Sequence, residues 1–357
     1  MMKKGLLWLG LLLGIMVAIW VVAPSPIDPV AWQPPQAPSM TGRFEPNQAL
    51  QKSDLLALGE VYGPEDVAVD SQGIVYGGTQ DGKIVRVYPN GNVETWVETG
   101  GRPLGLHFDQ AGNLIVCDAY KGLLSVTPKG EITLLTDQAE GGPFVFTDDL
   151  DIAADGKIYF TDASSKWNQS QYMWDLLEAK PYGRFLVYDP ATKTTQVLLK
   201  DMYFANGVAL SANEDFVLIN ETWRYRIVRY WLKGPKKGTH DIFIENLPGF
   251  PDGISGNRNG IFWLALPTPR NSQVDFMYPK PWLKRLVVKL PEFLQPKPVE
   301  YGFVLGLSET AEILYNFQDP TGLRVKEITS VEEHGGYLYL GSLHNDRIGR
   351  FKPEIGH

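Results

Sequence analysis

Cysteine is nearly absent. Cys117 is the only one in 357 residues, so no disulfide can form within the chain, and no thiolate cluster is available to hold zinc. Cys117 lies in the strand-like run 113–118 and reads as a small buried hydrophobe rather than a nucleophile. Histidine is scarce as well, with five in all. Charged residues make up only 21%, the net charge is −8, and Lys and Arg form no stripe. Nucleic acid is thereby excluded as a partner, because binding its phosphates needs clustered cations to displace counterions.

What the chain does have is a 44% hydrophobic content and ten tryptophans, enough for one large all-β domain or two ordinary ones. It also has one long apolar run. Met1-Met2-Lys3-Lys4 precedes an uncharged stretch from Gly5 to Ala23, and nineteen residues in a helix can span a bilayer. The two lysines favour a cytoplasmic N-terminus, with everything after Pro24 on the outer (periplasmic, extracellular or lumenal) side. A cleaved signal peptide is the competing reading, but the run is long for that role and no clear A-x-A site follows. A lipoprotein signal is excluded because no cysteine is near. The expected organisation is a transmembrane signal-anchor over 1–23, a proline-rich extended linker over 24–50 that holds the domain off the membrane, and a folded domain over 51–357. An exported chain without disulfides must draw its stability from packing or from a bound ion.

Within that domain one unit recurs. In TDDLDIAADGKIYFTD, Thr147 to Asp162, two acids precede an alternating strand, Asp155-Gly156 predicts a two-residue turn, and Ile158 to Phe160 return. Similar units start at Pro64, Pro103, Asn206, Asp252 and Ile328. Their spacing of roughly forty residues or more, with about four strands each, predicts a six-bladed β-propeller. In the fifth unit Leu286 to Lys289 is assigned as the next strand. The sixth unit runs out before its fourth strand, and the orphan run Asp54 to Leu58 is expected to pair there and close the ring, leaving no bare edges. Two insertions, 164–182 and 267–310, carry aromatic, helix-compatible patches and are either lids over one face or surface excursions.

The first strand of every blade lines the central channel, so equivalent positions converge on one axis. Glu65, Asp148, Asn206 and Asp252 stand at the start of four of these strands. Each alone would be an ordinary turn acid or amide capping a backbone N–H. Together they offer only oxygen, the donor set of calcium rather than zinc or copper. Three carboxylates packed without a cation would repel one another and lose stability. Asp148 is therefore expected to point at the axis while Asp149 does not.

The runs 101–105 (GRPLG), 118–123 (DAYKGL), 158–162 (IYFTD) with 164–167 (SSKW), 206–208 (NGV) and 248–252 (PGFPD) together resemble the strictosidine synthase-like family over about residues 55–351. The resemblance implies a six-bladed propeller with a calcium ion in its channel, related more distantly to paraoxonases, gluconolactonases and phosphotriesterases. It carries the metal positions onto Glu65, Asp148, Asn206 and Asp252, with Asp148 replacing a usual Asn. That extra charge should tighten ion binding and lower Lewis acidity. The glutamate base of the alkaloid synthases falls on Thr329, so strictosidine-type condensation is disfavoured. Leu104 stands at the first position of the paraoxonase histidine dyad. His107 and His344 are the two histidines near enough to the inner strands to reach the channel mouth.

The functional expectation is a membrane-anchored, calcium-dependent hydrolase of small apolar esters or lactones, with Asp252 activating water or attacking directly. The alternative is a non-catalytic propeller, stapled by calcium, that binds a partner or lipid-like ligand.

Overall fold

The structure, a computed structural model, describes residues 20–140 and 142–354. Six four-stranded antiparallel sheets follow one another around a central axis, which is the all-β six-bladed propeller expected from the repeats. The innermost strands of blades 1 to 6 are Val67–Val69, Pro103–Phe108, Thr147–Ile152, Ala205–Leu210, Ile254–Gly256 and Ile328–His334. The ring closes where expected. Asp54–Leu56 pairs with Ile348–Phe351 as the outermost strand of blade 6, and Arg350 grips Asp54 at 2.8 Å across that seam. The proposed anchor falls mostly on residues 1–19, outside the described ones. No described helix is long and apolar enough to cross a membrane.

Alternation predicts one buried face per strand, and the middle strands depart from it. All five residues of Leu114–Asp118 and of Ile158–Asp162 are buried. Each blade is sandwiched between two neighbours, so both faces need apolar side chains. Cys117 is one of these, buried among Leu123, Leu150 and Phe160 between blades 2 and 3. The turn at Asp155-Gly156 also differs. Gly156 N–H donates to Ala153 and Ala153 N–H to Lys157, giving a three-residue loop in which Gly156 (φ +86°) alone takes the left-handed conformation.

Leu286 to Lys289 is not a strand. The 267–310 insertion holds helix α2 (Ser272–Met277) and helix α3 (Pro281–Val287), and the third strand of blade 5 waits until Gly302–Ser308. Three apolar residues and a lysine fit either structure, and Pro281 at the first helical turn favours helix. The 164–182 insertion supplies α1 (Tyr172–Glu178). All three helices pack into one apolar cluster with Phe146, Phe204, Trp223 and Phe250 of the propeller, so the two insertions form a single roof over one end of the channel.

The proline-rich stretch is extended, as its composition says, and it is docked on the propeller. Ile27 is buried in the roof cluster, Val30 N–H donates to Glu178 O and Trp32 N–H to Tyr278 O, both at 3.1 Å. Farther on, Met40 and Phe44 pack between blades 4 and 5, and Asn47 bonds the backbone of Asn316 and Gln318. Residues 27–52 thus run as a strap from the roof towards the ring closure.

Candidate functional site

The chemistry sits at the start of the inner strands, and in blades 2, 3 and 4 the strand bulges there. In blade 3, Thr147 pairs with Asp162 and Leu150 with Phe160, so Asp148 and Asp149 together oppose Thr161. Blades 2 and 4 bulge alike at Leu104-Gly105 and Asn206-Gly207. A bulge turns two consecutive side chains towards the axis in place of alternation. Leu104, Asp148 and Asn206, the first members of these bulges, line the cavity under the roof together with Glu65, Asp252 and Thr329 from the corresponding places in the other three blades. The acids next in sequence, Asp66 and Asp149, face the other end of the channel. There they act as staples between blades: Leu106 N–H donates to Asp66 at 2.7 Å and Val208 N–H to Asp149 at 2.8 Å. Asp148 points into the channel as expected, but Asp149, expected to point elsewhere, also faces the channel, at its other end, because the bulge replaces the alternation on which that expectation rested.

Neighbouring blades hold the donor-bearing backbone in place. Thr161 Oγ1 donates to Asn206 O at 2.8 Å, Gly207 N–H to Asp252 O at 3.1 Å, and Thr329 Oγ1 to Glu65 O at 2.6 Å. Thr329 thereby fixes the backbone of Glu65 across the seam between blades 6 and 1. Glycine is required at 207 and 253, because a Cβ there would press into the carbonyls of Asp252 and Thr329 on the next blade.

Glu65, Asp148 and Asn206 are buried, with 8%, 4% and 5% exposure, and Asp252 is half-buried. Desolvation, with Asp148 and Asp252 adding repulsion, pushes Glu65 well above the usual carboxylate range. Asp148 rises likewise, from burial first and Asp252 second. Asp252 is pushed up to about 7 by burial, against a hydrogen bond from Asn206 that lowers it. One buried cation answers this cluster. Arg102, only 2% exposed, donates from Nη1 to Gly78 O at 3.0 Å while its Nε and Nη2 have no partner, and its charge lowers both Glu65 and Asp148. Nothing in the local sequence marks Arg102 as part of the site, since its side chain reaches the acids through the fold.

Among the described residues no three His, Cys, Asp or Glu side chains close into a tight ligand cage. The residues nevertheless fit a hard divalent cation. Their donors are all oxygen, three of the four are carboxylates whose pKa values burial raises, with repulsion between them adding to the rise at Glu65 and Asp148, and Asp148 Oδ2 is buried without any hydrogen-bond partner.

Sequence reasoning underrates one pair. His344 Nδ1 and Glu327 Oε2 are 2.6 Å apart, and both residues line the same cavity. Glu327 is strained: its φ is +47°, which costs a non-glycine residue roughly 1–2 kcal/mol. Its surroundings impose that conformation. Glu327 N–H donates to Tyr301 O at 2.9 Å, and the preceding carbonyl, Lys326 O, accepts from Ser342 Oγ at 2.9 Å and Asn345 Nδ2 at 3.0 Å. The turn that carries His344 thus grips the backbone that carries Glu327. His107, the other candidate, lies at the far end of the channel, 3.9 Å from Asp151.

The cavity above opens to solvent on one side and is walled mainly by apolar side chains. A collar of aromatic contacts rings it, from Phe146 to Phe204 (5.3 Å), Phe204 to Trp223 (4.4 Å) and Trp223 to Phe250 (6.0 Å). Asp175 of α1 ties the roof to this collar by accepting from Trp223 Nε1 at 2.9 Å and Ser164 Oγ at 2.6 Å. An apolar chamber over a floor of oxygen donors suits a small apolar molecule with one polar group.

Comparison with known proteins agrees with this architecture. The strictosidine synthase family profile matches residues 148–235, and the strictosidine synthase-like N-terminal profile matches 42–87. Adipocyte plasma membrane-associated protein of Gallus gallus is 40% identical over 354 residues, covering 92% of this chain and 85% of that one. Strictosidine synthase-like 6 of Arabidopsis thaliana is 37% identical over 309 residues, covering 84% and 82%. Among solved structures, a gluconolactonase of Xanthomonas campestris superposes with a TM-score of 0.63 at 16% identity, over 93% of this chain and 99% of that one. Regucalcin of Agrobacterium tumefaciens, a calcium-binding protein, gives a TM-score of 0.59 at 12% identity over 83% and 92%. These two likenesses show the fold alone. The identity to full-length relatives shows more: the chain belongs to the strictosidine synthase-like family, alongside the adipocyte plasma membrane-associated proteins.

Proposed function

We propose that the protein is a membrane-anchored, calcium-dependent hydrolase of small apolar esters or lactones, with the propeller on the outer side of the membrane. The observation that carries this reading is the convergence of four oxygen side chains and a strained glutamate–histidine pair on one apolar cavity. Glu65, Asp148, Asn206 and Asp252 would hold the ion. When bound, calcium supplies Lewis-acid polarisation of a substrate carbonyl and neutralises the three carboxylates.

The chain's own groups do the proton work. A carboxylate only accepts, so Glu327 fixes the His344 proton on Nδ1 and leaves Nε2 free to take a proton from water. The water oxygen then bonds the acyl carbon, the carbon–alkoxy bond breaks, and Nε2 returns its proton to the departing oxygen. Asp252 is the other group able to take that proton. It already accepts from Asn206 and is one of the proposed metal ligands, so His344 is the better placed base.

Hydrolysis of phenyl acetate and a series of lactones by the full chain in detergent, with and without EDTA, tests the reading. Chelator-sensitive turnover supports it. No turnover, together with a large chelator-induced fall in Tm, would overturn it and leave a stapled binding propeller. The replacement of the usual Asn by Asp148 favours that second reading, because the added charge strengthens binding at the expense of Lewis acidity.

A further inference from the structure

The 267–310 insertion has an outer face as well as the inner one that roofs the cavity. Among the described residues, every exposed Phe and Trp belongs to it: Phe276, Trp282 and Phe293 are 61%, 60% and 72% exposed, with Leu294 at 57%. Scattered surface hydrophobes are ordinary, but such a concentration marks an interaction surface. Phe276 and Leu294 share a shallow groove with Met277, Leu283 and Val287. Trp282 and Lys289 are seven residues apart on α3 and the turn continuing it, hence on one side of that helix.

Lys289 identifies the occupant. Its Nζ donates to Trp20 O at 3.1 Å and also to Ala23 O, so it holds the last residues of the apolar run Gly5–Ala23 where that run meets the folded domain. α3 is seven residues long, so Trp282 lies about 10 Å along the helix from this point. Basic groups flank the aromatics: Lys280 Nζ sits 3.2 Å over the Phe276 ring, and Arg285, half exposed, pairs at 3.2 Å with the exposed Asp28 at the start of the strap. Aromatic rings with adjacent cations are the side chains that settle at the headgroup level.

We propose that this face rests in the interfacial layer of the bilayer that the N-terminal run enters, with Phe276, Trp282, Phe293 and Leu294 inserted and Lys280 and Arg285 among the headgroups. The roof of the cavity is then also the foot of the protein on its membrane. This inference does not depend on catalysis.

The buried Cys117 makes the test direct, since a single introduced cysteine will be the only accessible one. The full chain is reconstituted in phosphatidylcholine vesicles with a solvent-sensitive dye at Trp282→Cys or Phe293→Cys, and at Asn90→Cys, in an exposed turn of blade 1, as the control. Blue-shifted emission at 282 and 293, quenched several-fold more by doxyl-labelled lipid than at 90, is the expected result. Water-like emission at both sites would overturn the proposal. So would dry but lipid-unquenched emission with energy transfer between copies, which assigns the face to a second copy of the chain.

Discussion

His344 Nδ1 meets Glu327 Oε2 at 2.6 Å from across a 17-residue separation, inside the cavity that also gathers Glu65, Asp148, Asn206 and Asp252. The contact is paid for in backbone strain at Glu327 and is locked by Ser342 and Asn345 gripping Lys326 O. Glu327 is one of eleven non-glycine residues with positive φ among the described ones, and with Phe204 one of the two among them that line this cavity.

If that pair is the base, His344→Gln lowers kcat by about 10²- to 10⁴-fold. Glu327→Gln, which keeps the shape but loses the charge that stabilises an imidazolium, lowers it less. Neither changes the calcium-induced rise in Tm, because neither residue is among the four proposed ligands. Steady-state kinetics beside thermal melts of the same preparations check this. A Tm response that vanishes in step with kcat would instead make the pair part of the ion site.

The acid cluster fixes a pH dependence. Glu65, Asp148 and Asp252 all have folded pKa values above the unfolded value near 4. From about pH 4 upward the folded state therefore binds more protons than the unfolded one, and stability falls as pH rises through the folded values. For Asp252, raised from 3.8 to about 7, the loss is at most about 4 kcal/mol. Below pH 4 both states are protonated and the penalty disappears. Calcium binds the deprotonated ligands, so its stabilisation should be greater at about pH 8 than at about pH 5. Melting curves with calcium or EDTA at both values decide, and equal increments would count against a carboxylate site.

Asp148→Asn separates affinity from stability. It removes a buried carboxylate whose Oδ2 has no hydrogen-bond partner and which raises Glu65. In EDTA the variant should melt higher, by about 1–3 kcal/mol on the cost of an unsatisfied buried group. Its calcium affinity should fall, since one of three charges is gone. Calcium titration by calorimetry together with chelated melts measures both, and a variant less stable in EDTA would show that Asp148 already has its counter-charge in Arg102.

These residues differ in how far the sequence reveals them. Glu65, Asp148, Asn206 and Asp252 are legible because each opens an inner strand of a repeat, so periodicity alone aligns them. Arg102 and the Glu327–His344 pair are not. Arg102 acts by reaching through the core, and the pair depends on a left-handed backbone at Glu327 that no residue preference announces. Leu286 to Lys289 misleads for a related reason, since a short apolar run carries no period and the helical signal lies outside it, in Pro281 at the first turn. The proline-rich strap misleads by composition: its prolines do make it extended, but Ile27, Trp32 and Phe44 are spaced to dock.

That strap supplies the last prediction. Trp32 packs edge-on against Tyr278 at 4.7 Å and lies under the Arg224 guanidinium at 4.2 Å, so it joins the strap to α2 and to blade 4. Tyr278 and Trp223, neighbours of this contact, belong to the cluster that roofs the cavity. Trp32→Ala should cost about 2–4 kcal/mol, somewhat below a fully buried tryptophan because Trp32 is only half-buried. The loss should be local: hydrogen exchange should quicken in 169–178 and 271–288 and stay unchanged in the middle strands of blades 1 and 2, whose Val75, Tyr76, Leu114 and Val116 belong to other apolar clusters. A spacer standing free of the propeller would tolerate the substitution with no change in either region. Uniform acceleration across all six blades would instead mean that strap and ring unfold as one unit, with the seam at Asp54–Leu56 the place where the two are coupled.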